Sequence, residues 1–206
     1  MQEETKSVPF KENYILPPLI LFLFFGTMVS LFPYENVVKW IIFNCCLAIL
    51  ATFVNYIIWI FHKHDSKRYY SLNSFVMLIT LTYYLMSPIL KILYPSVYFW
   101  ILLAGTLGFT IVLFINQKNV ARGILNPREL WFKKILLIYL VIFSCVFILL
   151  CIFYSLFASD SQGIMAASII LFLVGFLFLS LSPVFLTTPE MAKKFENMTV
   201  DNGEGW

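Results

Sequence analysis

The segment Val38–Phe61, VKWIIFNCCLAILATFVNYIIWIF, decides the fold of this chain. Its single charged residue, Lys39, lies at its edge, and the remainder is long enough to cross the hydrocarbon core of a bilayer, which takes roughly 20 apolar residues as a helix. The apolar run is continuous, whereas a barrel strand would alternate apolar and polar residues over about 10 positions. We therefore predict a transmembrane helix here.

The composition of the whole chain points the same way. Of its 206 residues, 61% are hydrophobic and only 12% are charged, whereas about 25% of residues are charged in an ordinary soluble domain. A soluble fold of this size would leave too much apolar surface in water. The composition argues against a soluble enzyme, a disulfide-rich scaffold and a nucleic-acid-binding protein.

Five further apolar runs are similar in length to Val38–Phe61. We predict an all-α membrane protein, a polytopic bundle of six transmembrane helices. The predicted spans are Ile15–Phe32, Val38–Phe61, Leu72–Leu93, Val97–Ile115, Ile135–Phe157 and Ile164–Leu186. Residues 1–14 form a predicted N-terminal tail, residues 15–186 the membrane domain, and residues 187–206 a C-terminal tail with a short interfacial helix.

The basic residues sort by segment. The two tails and the second and fourth connections hold twelve Lys and Arg residues, and the other two, Lys39 and Lys91, lie near the opposite ends of the second and third spans. Because cytoplasmic loops are enriched in Lys and Arg, both termini are predicted to be cytoplasmic. We expect a multi-pass plasma-membrane protein, and the abundance of Ile, Phe, Tyr, Lys and Asn favours a bacterial source.

Polar residues form stripes on the second and third predicted spans. Asn44 and Asn55 are eleven residues apart, close to three helical turns, and Thr80, Tyr84 and Ser87 share one face. One interpretation is helix packing, in which amides and hydroxyls bond across helices. The other is a neutral polar cleft between the two spans, and these five residues are its candidate lining.

Small residues raise two further hypotheses. Ala104 and Gly108 form a small-xxx-small pair, which is typical of a helix-packing face. Repeated dipeptides suggest an inverted repeat, as found in transporters, although such matches arise easily by chance among apolar runs and their spacings differ. The dipeptides are Gly26-Thr27 with Gly105-Thr106, and Ser87-Pro88 with Ser182-Pro183.

Reactive chemistry has few candidates. The central parts of the predicted spans contain no Asp, Glu or His, and Lys91 lies one turn from an outer end. The spacing of the four cysteines matches no zinc or redox motif. The cysteines are Cys45, Cys46, Cys145 and Cys151. We expect no catalytic residues, no metal and no cofactor.

Two functions remain after these exclusions. The first is a non-catalytic membrane protein that acts by helix–helix docking on a membrane partner, in an accessory, assembly or immunity-type role. Its expected partners are the lipid bilayer and another membrane protein or a second copy of itself, with no nucleic acid. The alternative is a small permease or channel that uses the polar cleft.

Overall fold

A computed structural model describes residues 7–9, 13, 15–31, 36–125, 160–188 and 190–191. All regular secondary structure in these ranges is helical. The helices are α1 (Leu16–Ser30), α2 (Val37–His62), α3 (Ser66–Leu93), α4 (Val97–Ile115), α5 (Gln117–Leu125) and α6 (Asp160–Leu181), followed by a 3₁₀ segment, Ser182–Leu186.

Four helical segments are long and apolar enough to cross a membrane. They are α2, α3, α4 and the continuous stretch Gly163–Leu186, which joins α6 to the 3₁₀ segment. The apolar helix α1 has 15 residues, so it is shorter than the roughly 20 residues that a perpendicular span requires. The fifth predicted span, Ile135–Phe157, lies outside the described residues. By length and composition, the apolar helices of the described residues are compatible with a membrane protein.

Helix α3 lies at the centre of the packing. On one side it meets α1 and α2 around a core of Phe22, Ala48 and Tyr84. On the other side it meets α6, where Met86 and Leu179 form a second core. Half of the most apolar stretch of α3 is buried, in keeping with this central position.

Three parts of the chain meet at one end of the bundle. The Val8 amide donates to the Lys63 carbonyl at 2.7 Å, which brings the N-terminal segment to the α2–α3 connection. The Arg68 Nη1 donates to the carbonyl oxygens of Leu186 and Thr187, at 3.0 and 3.1 Å. The N-terminal segment, the start of α3 and the end of the 3₁₀ segment thus share this end, which we call the tail end.

The helix α5 was not predicted from the sequence. It occupies part of the connection between the fourth and fifth predicted spans. Lys118 and Arg122 are four residues apart on one side of α5, whereas the buried Ala121 lies on another. Nine residues are too few for a span, and the basic side explains why a search for long apolar runs misses this helix.

Candidate functional site

The best-connected polar side chain of the described core is Asn44, on α2. It is 1% exposed, and its Nδ2 donates to the Gly26 carbonyl of α1 at 3.1 Å and to the Ser30 Oγ at 2.7 Å. Its backbone carbonyl accepts a hydrogen bond from the Tyr84 hydroxyl of α3 at 3.0 Å. Asn44 therefore joins three helices, and we call this contact the three-helix junction.

A glycine makes the junction possible. A Cβ atom at Gly26 would lie 3.2 Å from the Asn44 Cβ and 3.4 Å from two atoms of the Tyr84 ring. Glycine therefore lets α1 approach α2 and α3 this closely, and a larger residue would push Asn44 or Tyr84 aside by a few tenths of an ångström. The Ser30 Oγ donates to the Gly26 carbonyl at 2.6 Å, so one carbonyl accepts two hydrogen bonds here.

The other predicted site residues are distributed along the same stripe. Ser87 donates to the Tyr84 carbonyl at 3.0 Å, and Thr80 donates to the Val76 carbonyl at 2.8 Å, each within α3. Asn55 lies about 16 Å along α2 from Asn44 at 1.5 Å per residue. The structure thus brings Asn44 and Tyr84 into contact, leaves the hydroxyls of Thr80 and Ser87 bonded within α3, and separates Asn55 from Asn44.

Three buried amides near the tail end have unpaired atoms. Asn55 is fully buried, and neither its Oδ1 nor its Nδ2 has a hydrogen-bond partner among the described residues. Within the same part of the chain, the Oδ1 of Asn73 and the Nδ2 of Asn13 are also unpaired. Asn55 and Asn73 each lie eleven residues closer to the α2–α3 connection than Asn44 and Tyr84, which contact each other. The antiparallel pairing of the two helices therefore places both amides at the same height.

The N-terminal segment packs against the tail end of the bundle, next to these amides. The Trp59 Nε1 donates to the Val8 carbonyl at 3.1 Å, and the Tyr69 hydroxyl donates to the Asn13 carbonyl. Val8 and Asn13 are themselves buried. The amides of Asn55 and Asn73 thus lie between the three-helix junction and a short cover formed by the tail.

A cavity of about 700 Å³ lies at the opposite end of the bundle, where α2 and α4 begin and α3 ends. We call it the lysine cavity. Its polar lining includes Lys39, Ser87 and Lys91. Its apolar lining is supplied by α2, α3, α4 and the residue after α3: Trp40, Phe43, Leu90, Tyr94, Phe99 and Leu103.

Lys91 has a defined position in this cavity. Its Nζ donates to the Val29 carbonyl at the end of α1, at 2.8 Å, and lies 4.5 Å from the centroid of the Trp40 ring. A carbonyl and an aromatic face both stabilise a cation, and an ammonium has a third donor. The sequence analysis places Lys91 one turn from an outer helix end and assigns it no site. The sequence feature that could have indicated the site is the position of Lys91 one turn from the helix end, at the level of Trp40.

The surface of α4 is unlike that of the other helices. Only 6% of its most apolar stretch is buried. Ala104, Gly105 and Gly108 are exposed, and no described atom lies within 4 Å of a Cβ built at either glycine. Gly105 and Gly26, the two glycines of the hypothetical inverted repeat, therefore have different surroundings.

Comparisons with known proteins give no relative from which a function can be carried over. The chain matches no protein-family model, no curated protein and no solved structure.

Proposed function

We propose that this chain is a non-catalytic, multi-pass protein of a bacterial plasma membrane that acts by docking on another membrane protein through helix–helix contacts. The observation that supports the proposal is the small-residue face of α4, formed by Ala104, Gly105 and Gly108. This docking would serve an accessory, assembly or immunity-type role.

The contrast between glycines explains why α4 is the docking helix. Gly26 and Gly175 are both covered by neighbouring helices, with atoms 3.0 to 3.4 Å from a Cβ built there. Gly105 and Gly108 are open among the described residues. In a bilayer, small residues drive helix association because they let two backbones approach closely. The occupant of this face is a transmembrane helix of the partner that carries small residues of its own.

Bulky substitutions on this face test the proposal. The protein is extracted from its native membrane in mild detergent as wild type, Ala104→Leu, Gly108→Leu and Ala167→Leu. Ala167 is an exposed alanine on α6, so it controls for the added bulk. We expect one stoichiometric membrane partner with wild type and Ala167→Leu, and its loss from both α4 variants.

Disulfide crosslinking identifies the occupant directly. Gly108→Cys is oxidised in native membranes, and an intermolecular crosslink to the co-purified partner supports the proposal. The chain's own fifth predicted span carries Cys145 and Cys151. A crosslink from position 108 to either of these cysteines within one chain would show that the face is covered internally, and it would overturn partner docking.

The buried amides favour a second candidate function, a small permease or channel. Among the described residues, Asn55 has an unpaired donor and acceptor, and Asn73 has an unpaired acceptor at the same height. Such atoms suit water or a neutral polar solute. Purified protein in liposomes is tested for glycerol and water entry by light scattering. Flux that is lost in Asn55→Leu while the helical circular dichroism is unchanged would favour transport, and flux no greater than in empty liposomes would exclude it.

A further inference from the structure

We propose that the lysine cavity binds one anionic membrane lipid, with its acidic headgroup at Lys39 and Lys91 and an acyl chain along the apolar wall of α2, α3 and α4. The proposal concerns the opposite end of the bundle from the buried amides and does not depend on partner docking.

The depth of the cavity matches one leaflet of a bilayer. Phe43 and Leu103 each lie six residues after the start of their helix, about 9 Å from the helix end, and Tyr83 lies about 15 Å from the end of α3. A hydrocarbon core is about 30 Å thick, so one leaflet is about half of that. The lining therefore extends from the helix ends to near the middle of the bilayer, as an acyl chain does.

The charges lie where a lipid headgroup would be. Lys39 is in the first turn of α2, and Lys91 is in the last turn of α3. Both are at the level of Trp40, and tryptophan favours the interface between headgroups and hydrocarbon. Among the described residues that line the cavity, the charged side chains are these two lysines.

The backbone reinforces this attraction. Helices α2 and α4 both begin at this end, and neither N-cap residue, Asn36 or Ser96, makes a side-chain capping bond. Their first-turn amides carry partial positive charge. The cavity thus combines two ammonium groups and the N-terminus of α2, at Asn36, with an apolar wall, a combination that suits a phosphate on an acyl chain better than a neutral lipid or a free ion.

Two tryptophans provide the probe and its control. Trp40 lines the cavity, whereas Trp100, near the start of α4, is 60% exposed and outside the lining. Two single-tryptophan proteins are made, one that retains Trp40 and one that retains Trp100, with phenylalanine at the other four tryptophan positions. Each is reconstituted into vesicles that mix unlabelled lipid with phosphatidylglycerol or phosphatidylcholine carrying brominated chains, which quench nearby tryptophan fluorescence.

The expected result is a lipid preference at Trp40 alone. A lysine near an anionic surface contributes about 1 kcal/mol, which is about fivefold in binding. We expect brominated phosphatidylglycerol to quench Trp40 at least fivefold more effectively than brominated phosphatidylcholine, with a ratio within about twofold at Trp100. Lys39→Gln lowers the Trp40 preference about fivefold, and Lys39→Arg retains it.

Three outcomes would overturn the proposal. The first is an equal lipid preference at Trp40 and Trp100, which would mean that Trp40 senses only the surrounding bilayer. The second is an unchanged preference in both Lys39→Gln and Lys91→Gln. The third is relief of the Trp40 quenching by inorganic phosphate, which would show that the site takes a free anion. Circular dichroism of each variant verifies that the helices are retained.

Discussion

The contact between α3 and α6 at Gly175 gives the sharpest stability prediction. A Cβ at Gly175 would lie 3.0 Å from the Met86 Cγ, 3.1 Å from the Thr82 carbonyl oxygen and 3.2 Å from the Leu85 Cβ. The methionine side chain can move, but the Thr82 carbonyl belongs to the backbone of α3, so in Gly175→Ala the two helices must separate. The separation also stretches the hydrogen bond from the Thr82 Oγ1 to the Gly175 carbonyl, which is already 3.3 Å long.

Two opposing effects set the size of the change. Overpacking costs about 1–3 kcal/mol, and replacing a helical glycine by alanine returns up to about 1 kcal/mol. We therefore expect Gly175→Ala to lower the free energy of unfolding by about 1–2 kcal/mol. Gly108→Ala has no described atom near its Cβ, so it retains only the favourable effect and serves as the matched control.

Equilibrium unfolding in mixed micelles of dodecyl sulfate and a mild detergent, followed by far-ultraviolet circular dichroism, measures both variants. Gly26→Ala belongs between them, since the three atoms nearest to a Cβ there belong to side chains, at 3.2 and 3.4 Å. The expected order of stability is Gly108→Ala, Gly26→Ala, Gly175→Ala, from highest to lowest. If Gly175→Ala proves as stable as Gly108→Ala, the described packing of α6 on α3 is wrong.

Three further predictions follow from the polar contacts and the charge pattern. Asn44→Leu is expected to lower the free energy of unfolding by about 1–3 kcal/mol, since it removes two interhelical hydrogen bonds. Asn55→Leu is expected to leave it unchanged or raise it by up to about 3 kcal/mol, because it removes buried atoms that are unpaired among the described residues. The same unfolding assay compares the pair, and an equal loss of stability in both would contradict this reasoning. Tyr84→Phe removes only the bond to the Asn44 carbonyl and should cost about 1 kcal/mol in that assay; a loss as large as that in Asn44→Leu would mean that the ring has another role. Reporter enzymes fused to the two chain ends are both expected to stay on the cytoplasmic side, and one active outside the cell would refute the predicted threading.

The positions of the long helices could be predicted from the sequence because lipid imposes one simple requirement. Backbone groups in hydrocarbon must be bonded within a helix, so long apolar runs become helices with few exceptions. The bounds predicted for the fourth span, Val97–Ile115, agree with α4. The third span was predicted to begin at Leu72, whereas α3 begins at Ser66. Its first turn is polar and is capped by the Asp65 carboxylate, which accepts a hydrogen bond from the Arg68 amide, so hydropathy alone does not detect it.

The sequence could not show which polar residues contact one another. Spacing placed Asn44 and Asn55 on one face, but only the arrangement of α1 shows that Asn44 has partners and that Asn55 has unpaired atoms. In the sequence, Gly26 stands out only as part of a repeated Gly-Thr dipeptide. In the structure, it lies where α1 approaches Asn44 and Tyr84 closely. Such pairings depend on how far each helix is rotated about its own axis. The sequence does not determine this rotation, because the helices carry apolar residues on most of their faces.

The three-helix junction and the tail end of the α2–α3 pair differ in their polar contacts, and this difference bears on both candidate functions. At the three-helix junction the Asn44 Nδ2 and the Tyr84 hydroxyl are bonded across helices, and α1 is packed too closely against them for a solute to pass between without separating the helices. Toward the tail end, Asn55 and Asn73 have unpaired atoms beneath a cover held by the Trp59 and Tyr69 side chains. A polar path along this stripe would therefore require α1 to move away from Asn44, which breaks two hydrogen bonds and opens a packed glycine contact. Docking through α4 requires no such rearrangement, because its small-residue face is already exposed among the described residues, and this difference in conformational cost is why we favour a partner-binding role over transport.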